Sequence, residues 1–235
     1  MEAFSEKTKE ISELYINSAE SEAQGIHIYS TDEKMGVQAR EHKNPSIPMK
    51  KGQAERIDPE YIRHGTSGII ASRNAATGEI IAPMVQPTRT EEDFAKHIND
   101  VIKANPRDIH IFVVDNLNTH KSETLVRLIA QIEGIQESVL GIKGKTGILK
   151  NQASREAFLS DFSHKVRFVY TPKHCSWLNQ IECWFGIITR RLLNRRASFS
   201  SIADLEQKII SFIEYYNKYL AKPFAWNYKG KLLVI

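Results

Sequence analysis

A chain of 235 residues with 41% hydrophobic and 26% charged residues can bury its own core, as one large or two small domains. A formal charge of +4 permits a nucleic-acid partner without demanding one. The two cysteines, Cys175 and Cys183, give neither a disulfide framework nor a zinc-ribbon spacing, and no apolar run approaches a membrane span or a signal peptide, so a cytoplasmic protein with no membrane partner is expected.

Ile11, Leu14, Tyr15 and Ala19 recur at helical spacing and predict a leading helix within residues 1–24. Ile26 to Thr31 is rich in strand formers and runs into Asp32-Glu33-Lys34, and Gly36 to Arg40 predicts a brief return beside it. Strand parity sets Ile26, Ile28, Ser30 and Asp32 on one face and His27, Tyr29, Thr31 and Glu33 on the other. The first face is the more apolar, which favours Asp32 over Glu33 as the inward carboxylate. Residues 41–64 turn to Lys, Arg, Pro and Gly and read as a long basic loop. Strand-like runs at 66–71 and 79–85 flank a turn from Asn74 to Gly78, and Thr90 opens a helix through Phe94, Ile98, Val101 and Ile102 that Pro106 ends.

Ile109 to Val114 is nearly all apolar, as a strand covered on both faces should be, and it leads into Asp115-Asn116. Asn118 or Thr119 is the expected cap of the next helix, through Leu125, Leu128 and Ile129. Residues 134–164, with Gly141, Gly144 and Gly147 among lysines and a short helix near Glu156, read as an insertion. Val166 to Tyr170 is a further strand, broken by Thr171-Pro172. Ser176 is the expected cap of a long helix carrying Trp177, Leu178, Ile181, Trp184, Phe185, Ile188 and Leu192, and a last helix spans 202–219.

With the return after Gly36 set aside, the order is three strands, helix, strand, helix, strand, helices. It matches a ribonuclease H-like α/β fold, a mixed five-stranded sheet with helices on both faces. Asp32 follows the first strand, Asp115 the fourth, and Glu182 lies in the helix after the fifth. Ligands of open α/β sheets gather outside strand ends, and carboxylates converging there suit a divalent metal held against a phosphodiester. Taken singly, each acid reads as a turn or solvated helix residue; their joint placement is what points to a site.

Asp32-Glu33-Lys34, Arg63-His64-Gly65-Thr66, Val114-Asp115-Asn116 with Thr119-His120, and Tyr170-Thr171-Pro172 through Ser176-Trp177-Leu178-Asn179-Gln180-Ile181-Glu182 resemble the DDE catalytic domain of the IS630 group of transposases, within the IS630/Tc1/mariner superfamily. The resemblance continues through Thr189-Arg190-Arg191, Phe199 and Lys222-Pro223-Phe224-Ala225-Trp226, covering residues 26–229, with a DDE domain over 25–235. It implies an endonuclease and strand transferase that cuts at the inverted repeats of its element, joins the ends to a TA target, and uses Mg²⁺ or Mn²⁺ as two ions. Asp32, Asp115 and Glu182 would be the metal-binding catalytic carboxylates. Double-stranded DNA is the implied partner, bound by a homodimer, at the nucleoid in a bacterial cell. The family's N-terminal helix-turn-helix region has no counterpart in the sequence, which sets two alternatives beside the enzyme: a catalytically idle or regulatory fragment, and another ribonuclease H-like nuclease.

Asn116, His120 and Asn179 are the candidate supporting residues. His120 suits orienting a carboxylate or touching phosphate, and serves equally as a structural histidine. Asn179 stands three residues before Glu182 on the same helical side. Lys173, Arg190, Arg191, Arg195 and Arg196 bracket the Glu182 helix and are candidate DNA phosphate contacts, although charge at a helix C-terminus also complements the dipole.

Overall fold

The computed structural model describes residues 2–228; Met1 and residues 229–235 of the expected catalytic domain lie outside the described residues. The leading helical stretch is two helices, α1 (Glu2–Ile16) and α2 (Ser18–Ala23), separated at Asn17. The strand β1 (Ile26–His42) is much longer than expected. Its predicted return after Gly36 is the same strand continuing through a bulge. Pairing steps from Lys34 opposite Ile69 to Val37 opposite Ser67, so Met35 and Gly36 together face Gly68, and Gly36 takes a φ of +72°.

β1 pairs antiparallel with β2 (Tyr61–Asn74), which in turn pairs antiparallel with β3 (Ile80–Gln86). Both long strands extend into the stretch expected to be loop, leaving residues 43–60 as a connection with bridges Ile47–Arg56 and Lys50–Gln53. α3 (Glu91–Ile102) starts in a capping box, Thr90 accepting from the Asp93 N–H and Asp93 from the Thr90 N–H, and ends ahead of Pro106.

β4 (Ile109–Val114) is followed by a 3₁₀ turn over Asn118–Lys121. Because Asn118 and Thr119 are consumed in that turn, Ser122 is the cap of α4 (Glu123–Ile132), accepting from the Leu125 N–H. Within residues 134–164 lie α5 (Glu137–Leu140) and α6 (Gln152–Leu159), and Leu140, Leu149 and Leu159 are buried in one core with Phe168 and Tyr170. After β5 (Val166–Tyr170), residues Ser176–Leu178 form another 3₁₀ turn, so Ser176 caps no long helix, and α7 runs only from Ile181 to Arg191. α8 (Ile202–Tyr219) begins with Ser201 accepting from the Asp204 N–H.

The strand order is β3-β2-β1-β4-β5, with β1, β4 and β5 parallel and β2 and β3 antiparallel. This is the ribonuclease H-like arrangement, and helices cover both faces. Tyr29, Phe112, Val114 and Phe168 pack under α3 and α4, while Ile28, Ile111 and Val113 pack with Ile11 and Tyr15 of α1. Further along, Val37, Ile69 and Ala71 meet Trp184 of α7 and Ile209 of α8. Alternate residues of β1 are therefore buried on opposite sides, and parity alone does not select an inward face. No helix among the described residues is long and apolar enough to cross a membrane.

The segment after α8 straps the core. Arg73 is fully buried, donating from Nη1 to Gln180 Oε1 and from Nη2 to the Lys222 carbonyl, each at 2.8 Å, with its guanidinium carbon 3.6 Å from the centre of the Phe224 ring. Trp226 meets Tyr15 edge-on, ring centres 5.0 Å apart. The strap lies on the β2–β3 turn at Gly78, whose φ is +81° and whose substitution by any side chain would set a Cβ 2.1 Å from the Lys222 carbonyl oxygen. Gly78→Ala is therefore expected to destabilise the fold by about 2–4 kcal/mol, from left-handed strain plus overpacking. Gly36→Ala, with no atom near its added Cβ, is expected to cost about 1 kcal/mol from strain alone. Urea unfolding of the two variants checks the difference; equal losses would remove the strap's contribution.

Candidate active site

Ser30 of β1 stands opposite Val113 of β4 in parallel register. Carried two residues further, that register sets Asp32 beside Asp115, and these carboxylates and the His120 imidazole present ligand-type atoms all within 4.8 Å of one another. Asp115 stands just past the end of β4, whereas Asp32, expected after the first strand, lies within β1, two residues beyond its last parallel pairing with β4, and each is held by backbone and side-chain donors. Asp32 accepts the Glu33 N–H on Oδ1 at 2.8 Å and the Asn179 amide on Oδ2 at 3.2 Å. Asp115 turns the chain back by accepting the Leu117 N–H on Oδ1 at 2.8 Å.

Asn179 is buried and not helical. Its Nδ2 also donates to the Thr31 carbonyl at 3.0 Å, its Oδ1 accepts from the Ser30 hydroxyl, and Ser30 Oγ accepts the Ile181 N–H at 2.8 Å. The first residue of α7 is thus bonded to β1, and the helical phase expected to join Asn179 and Glu182 is replaced by direct contact of Asn179 with Asp32. Asn116 is a brace between strand ends: its amide donates to the Thr171 carbonyl and its Oδ1 accepts from Lys121 Nζ at 2.7 Å. Lys121, nearly buried, also pairs with Glu156 at 2.7 Å and lies over the Tyr170 ring.

His120 has a carboxylate at each ring nitrogen. Nδ1 lies 2.8 Å from Asp115 Oδ1 and 3.3 Å from the Asp115 carbonyl oxygen, and Nε2 lies 3.2 Å from Glu33 Oε2. Although His120 is near enough to share a cation with the aspartates, both nitrogens are already engaged, Nδ1 with Asp115 and Nε2 with Glu33.

Burial and the adjacent Asp115 charge push Asp32 up to about 7. Burial also works against ionised Asp115, but the hydrogen bond and charge of His120 outweigh it and hold that carboxyl below its usual range. Burial disfavours charged His120 as well, yet Asp115 and Glu33 raise it to about 10. Near neutrality the group is an imidazolium, an ionised Asp115 and an Asp32 that still partly keeps its proton. Two carboxylates with open lone pairs suit a hard divalent cation, which would take the place of that proton.

Glu182 stands in the first turn of α7, exposed, outside the Asp32–Asp115–His120 group and without an ion pair among the described residues. Lys173 lines a cleft of about 550 Å³ with Asp115, Asn116, His174 and Ser176. Arg190 and Arg191 are exposed in the last turn of α7 and line a separate hollow with Tyr219, Lys222 and Phe224. Arg196 pairs with Glu55 at 2.8 Å, and the Arg195 carbonyl lies 3.0 Å from His42 Nε2. Trp177, spaced with the apolar residues of the expected helix, is half exposed against Tyr228, and Cys183 is exposed while Cys175 is buried. Sequence reasoning passed over Glu33, Ser30 and Lys121; only the adjacency of Glu33 to Asp32 signalled the first, and the others are set by tertiary contact.

Paired carboxylates, one within β1 and one just past the end of the neighbouring parallel strand β4, on a mixed sheet of this order, define an acidic centre of ribonuclease H-like type. The family model described as DDE superfamily endonuclease matches residues 27–206, and the chain belongs to that family. Its fold is similar to that in a pre-cleavage Mos1 transpososome, at 12% identity and a TM-score of 0.52, over 91% of this chain and 56% of that one. A similarity is also found to the catalytic domain of Mos1 mariner transposase, at 11% identity and a TM-score of 0.35, over 94% and 97% of the two chains. The chain thus spans 56% of the length of the transpososome protein it matches, and no curated protein matches it. The resemblance to the IS630/Tc1/mariner catalytic domain agrees with the family match.

Because Asp32 holds its proton up to about 7, Mn²⁺ affinity is expected to rise about tenfold per pH unit below that value and to level off above it. Asp32→Asn should bind more weakly and lose the slope. Isothermal titration across this range checks it, and an affinity of the parent indifferent to pH would contradict the assignment of Asp32 as a ligand.

Proposed function

We propose that the chain is the catalytic domain of a DNA transposase that hydrolyses a phosphodiester at transposon ends and joins the freed 3′ end to a TA target. The observation that carries the reading is the convergence of Asp32 of β1 with Asp115 at the end of β4, within the segment matched by the endonuclease family. Mg²⁺ or Mn²⁺, as two ions, is the expected cofactor. Asp32 and Asp115 would hold it, with Glu182 as the third carboxylate, and when bound it would activate the attacking oxygen and stabilise the leaving 3′-oxygen.

The chain's own residues prepare that chemistry. Asn179 fixes Asp32 on the side facing α7, and His120 with the Leu117 N–H engages Oδ1 of Asp115, leaving Oδ2 as its ligand atom. Asp32 would give up its proton where a cation is bound. The open cleft beside Asp115, with Lys173 on its rim, receives the DNA backbone, and Arg190, Arg191, Arg195 and Arg196, at and beyond the far end of α7, are further phosphate contacts in this reading. Cutting and joining use one centre because both are in-line oxygen attacks on phosphorus, by water and then by the 3′-hydroxyl. Two copies synapsing two ends is the assembly the resemblance implies.

Nicking of supercoiled plasmid is the direct test. The parent is expected to nick in Mg²⁺ or Mn²⁺ and not in EDTA, and Asp115→Asn or Glu182→Gln to lose more than about 100-fold in rate with DNA binding retained. Nicking unchanged in Glu182→Gln would remove it as third carboxylate. A folded, DNA-binding parent that fails to nick under any metal would favour the idle or regulatory fragment, and nicking without joining another ribonuclease H-like nuclease.

The arginines have their own measure. Replacing Arg190 and Arg191 with Ala is expected to lower the slope of log affinity against log salt by about 2, roughly 0.9 for each phosphate no longer neutralised. An unchanged slope would assign the pair to complementing the C-terminal dipole of α7.

A further inference from the structure

Glu33 is the residue whose position the reaction does not explain. Its side chain is 1% exposed, deep beside a second carboxylate on the adjacent residue, and its Oε1 has no hydrogen-bond partner among the described residues. A buried carboxylate is unfavourable unless it is paired, and the close ionic contact it makes is from Oε2 to His120 Nε2 at 3.2 Å. The same imidazole presents Nδ1 to Asp115 at 2.8 Å. We propose that Glu33, acting through His120, is a positioning residue that fixes the orientation of the Asp115 carboxylate; the inference rests on the reading of Asp115 as a catalytic ligand.

Opposite strand parity makes the device possible. Asp32 and its neighbour Glu33 leave β1 on opposite faces, so one stretch of strand serves both acids: Asp32 directly, with Asn179, and Asp115 by way of Glu33 and the ring. The ring has little freedom of its own. Phe94 packs against it with ring centres 4.3 Å apart, and Tyr170 donates to the His120 carbonyl at 2.8 Å. A carboxylate at the far nitrogen of a histidine that meets a metal-binding group is a recurrent way to set the ring's plane and the basicity of what it touches. A satisfied core pair, with no part in the reaction, would show the same two distances, so the test must separate stability from function.

Glu33→Gln keeps shape and an acceptor oxygen while removing the charge. Thermal unfolding, Mn²⁺ titration without DNA, and steady-state nicking are measured on the parent, Glu33→Gln, His120→Gln and the double variant. The expected result is a melting temperature and KM for DNA close to the parent, with Mn²⁺ affinity and kcat each reduced about 10–100-fold in Glu33→Gln. In the His120→Gln background Glu33→Gln should add no further loss, because its effect passes through the ring. Mn²⁺ affinity and kcat unchanged in Glu33→Gln, or losses that add in the double variant, would overturn the proposal. A parent that binds Mn²⁺ but does not nick would instead overturn the transposase reading, while the Mn²⁺ titrations still decide the role of Glu33.

Discussion

Two carboxylates of like charge are forced side by side by the parallel pairing of β1 with β4, and most of the polar structure nearby exists to hold that unfavourable arrangement. The register that seats Ser30 opposite Val113 leaves Asp32 and Asp115 no other place. Their repulsion is shared unequally. Asp115 is kept ionised by His120, and Asp32, more deeply buried, rises to about 7 instead. Such a pair is a preformed demand for positive charge, met by protons when nothing better is at hand.

Around the pair the sheet and helices act as a rigid mount. Asn179 and Ser30 bond the start of α7 to β1, Asn116 and Lys121 lock the ends of β4 and β5, and Tyr170 pins the backbone of His120. None of these groups needs to touch a substrate to matter. A carboxylate meant for a ligand is useful to the degree that its rotamer is decided beforehand, and the rotamers of Asp32 and Asp115 are decided by groups on regular elements or on short turns bonded to them. Glu182, by contrast, is exposed in the first turn of α7, where its approach to a metal would depend on its own side-chain torsions.

Much of this was legible in the residue order. The period of Leu205, Ile209 and Ile213 marks α8, Thr90 marks the start of α3, and the apolar run from Ile109 to Val114 marks the central strand that delivers Asp115. Local signals failed where a tertiary bond competes with them. Residues 176–180 carry apolar side chains at helical spacing, yet Asn179 and Gln180 are drawn into bonds with β1 and Arg73, and α7 starts only at Ile181. The choice of Asp32 over Glu33 by apolar face assumed one covered side; β1 is covered on both, so both acids are buried, on opposite sides of the strand. The bulge at Met35–Gly36 reads as a turn because glycine with a left-handed φ serves either purpose.

The strap from Lys222 to Trp226 has a consequence for how the chain is made. Arg73 is in place as soon as β2 pairs with β1, but Gln180, the Lys222 carbonyl and the Phe224 ring all come later in synthesis. A nascent chain that packed its helices onto these strands before the strap emerged would cover a guanidinium with only part of its partners, an unfavourable burial that opposes closure of that side of the sheet. Release just upstream of residue 222 would leave a chain with every strand of its sheet made and Arg73 bonded to Gln180 but without the Lys222 carbonyl and the Phe224 ring.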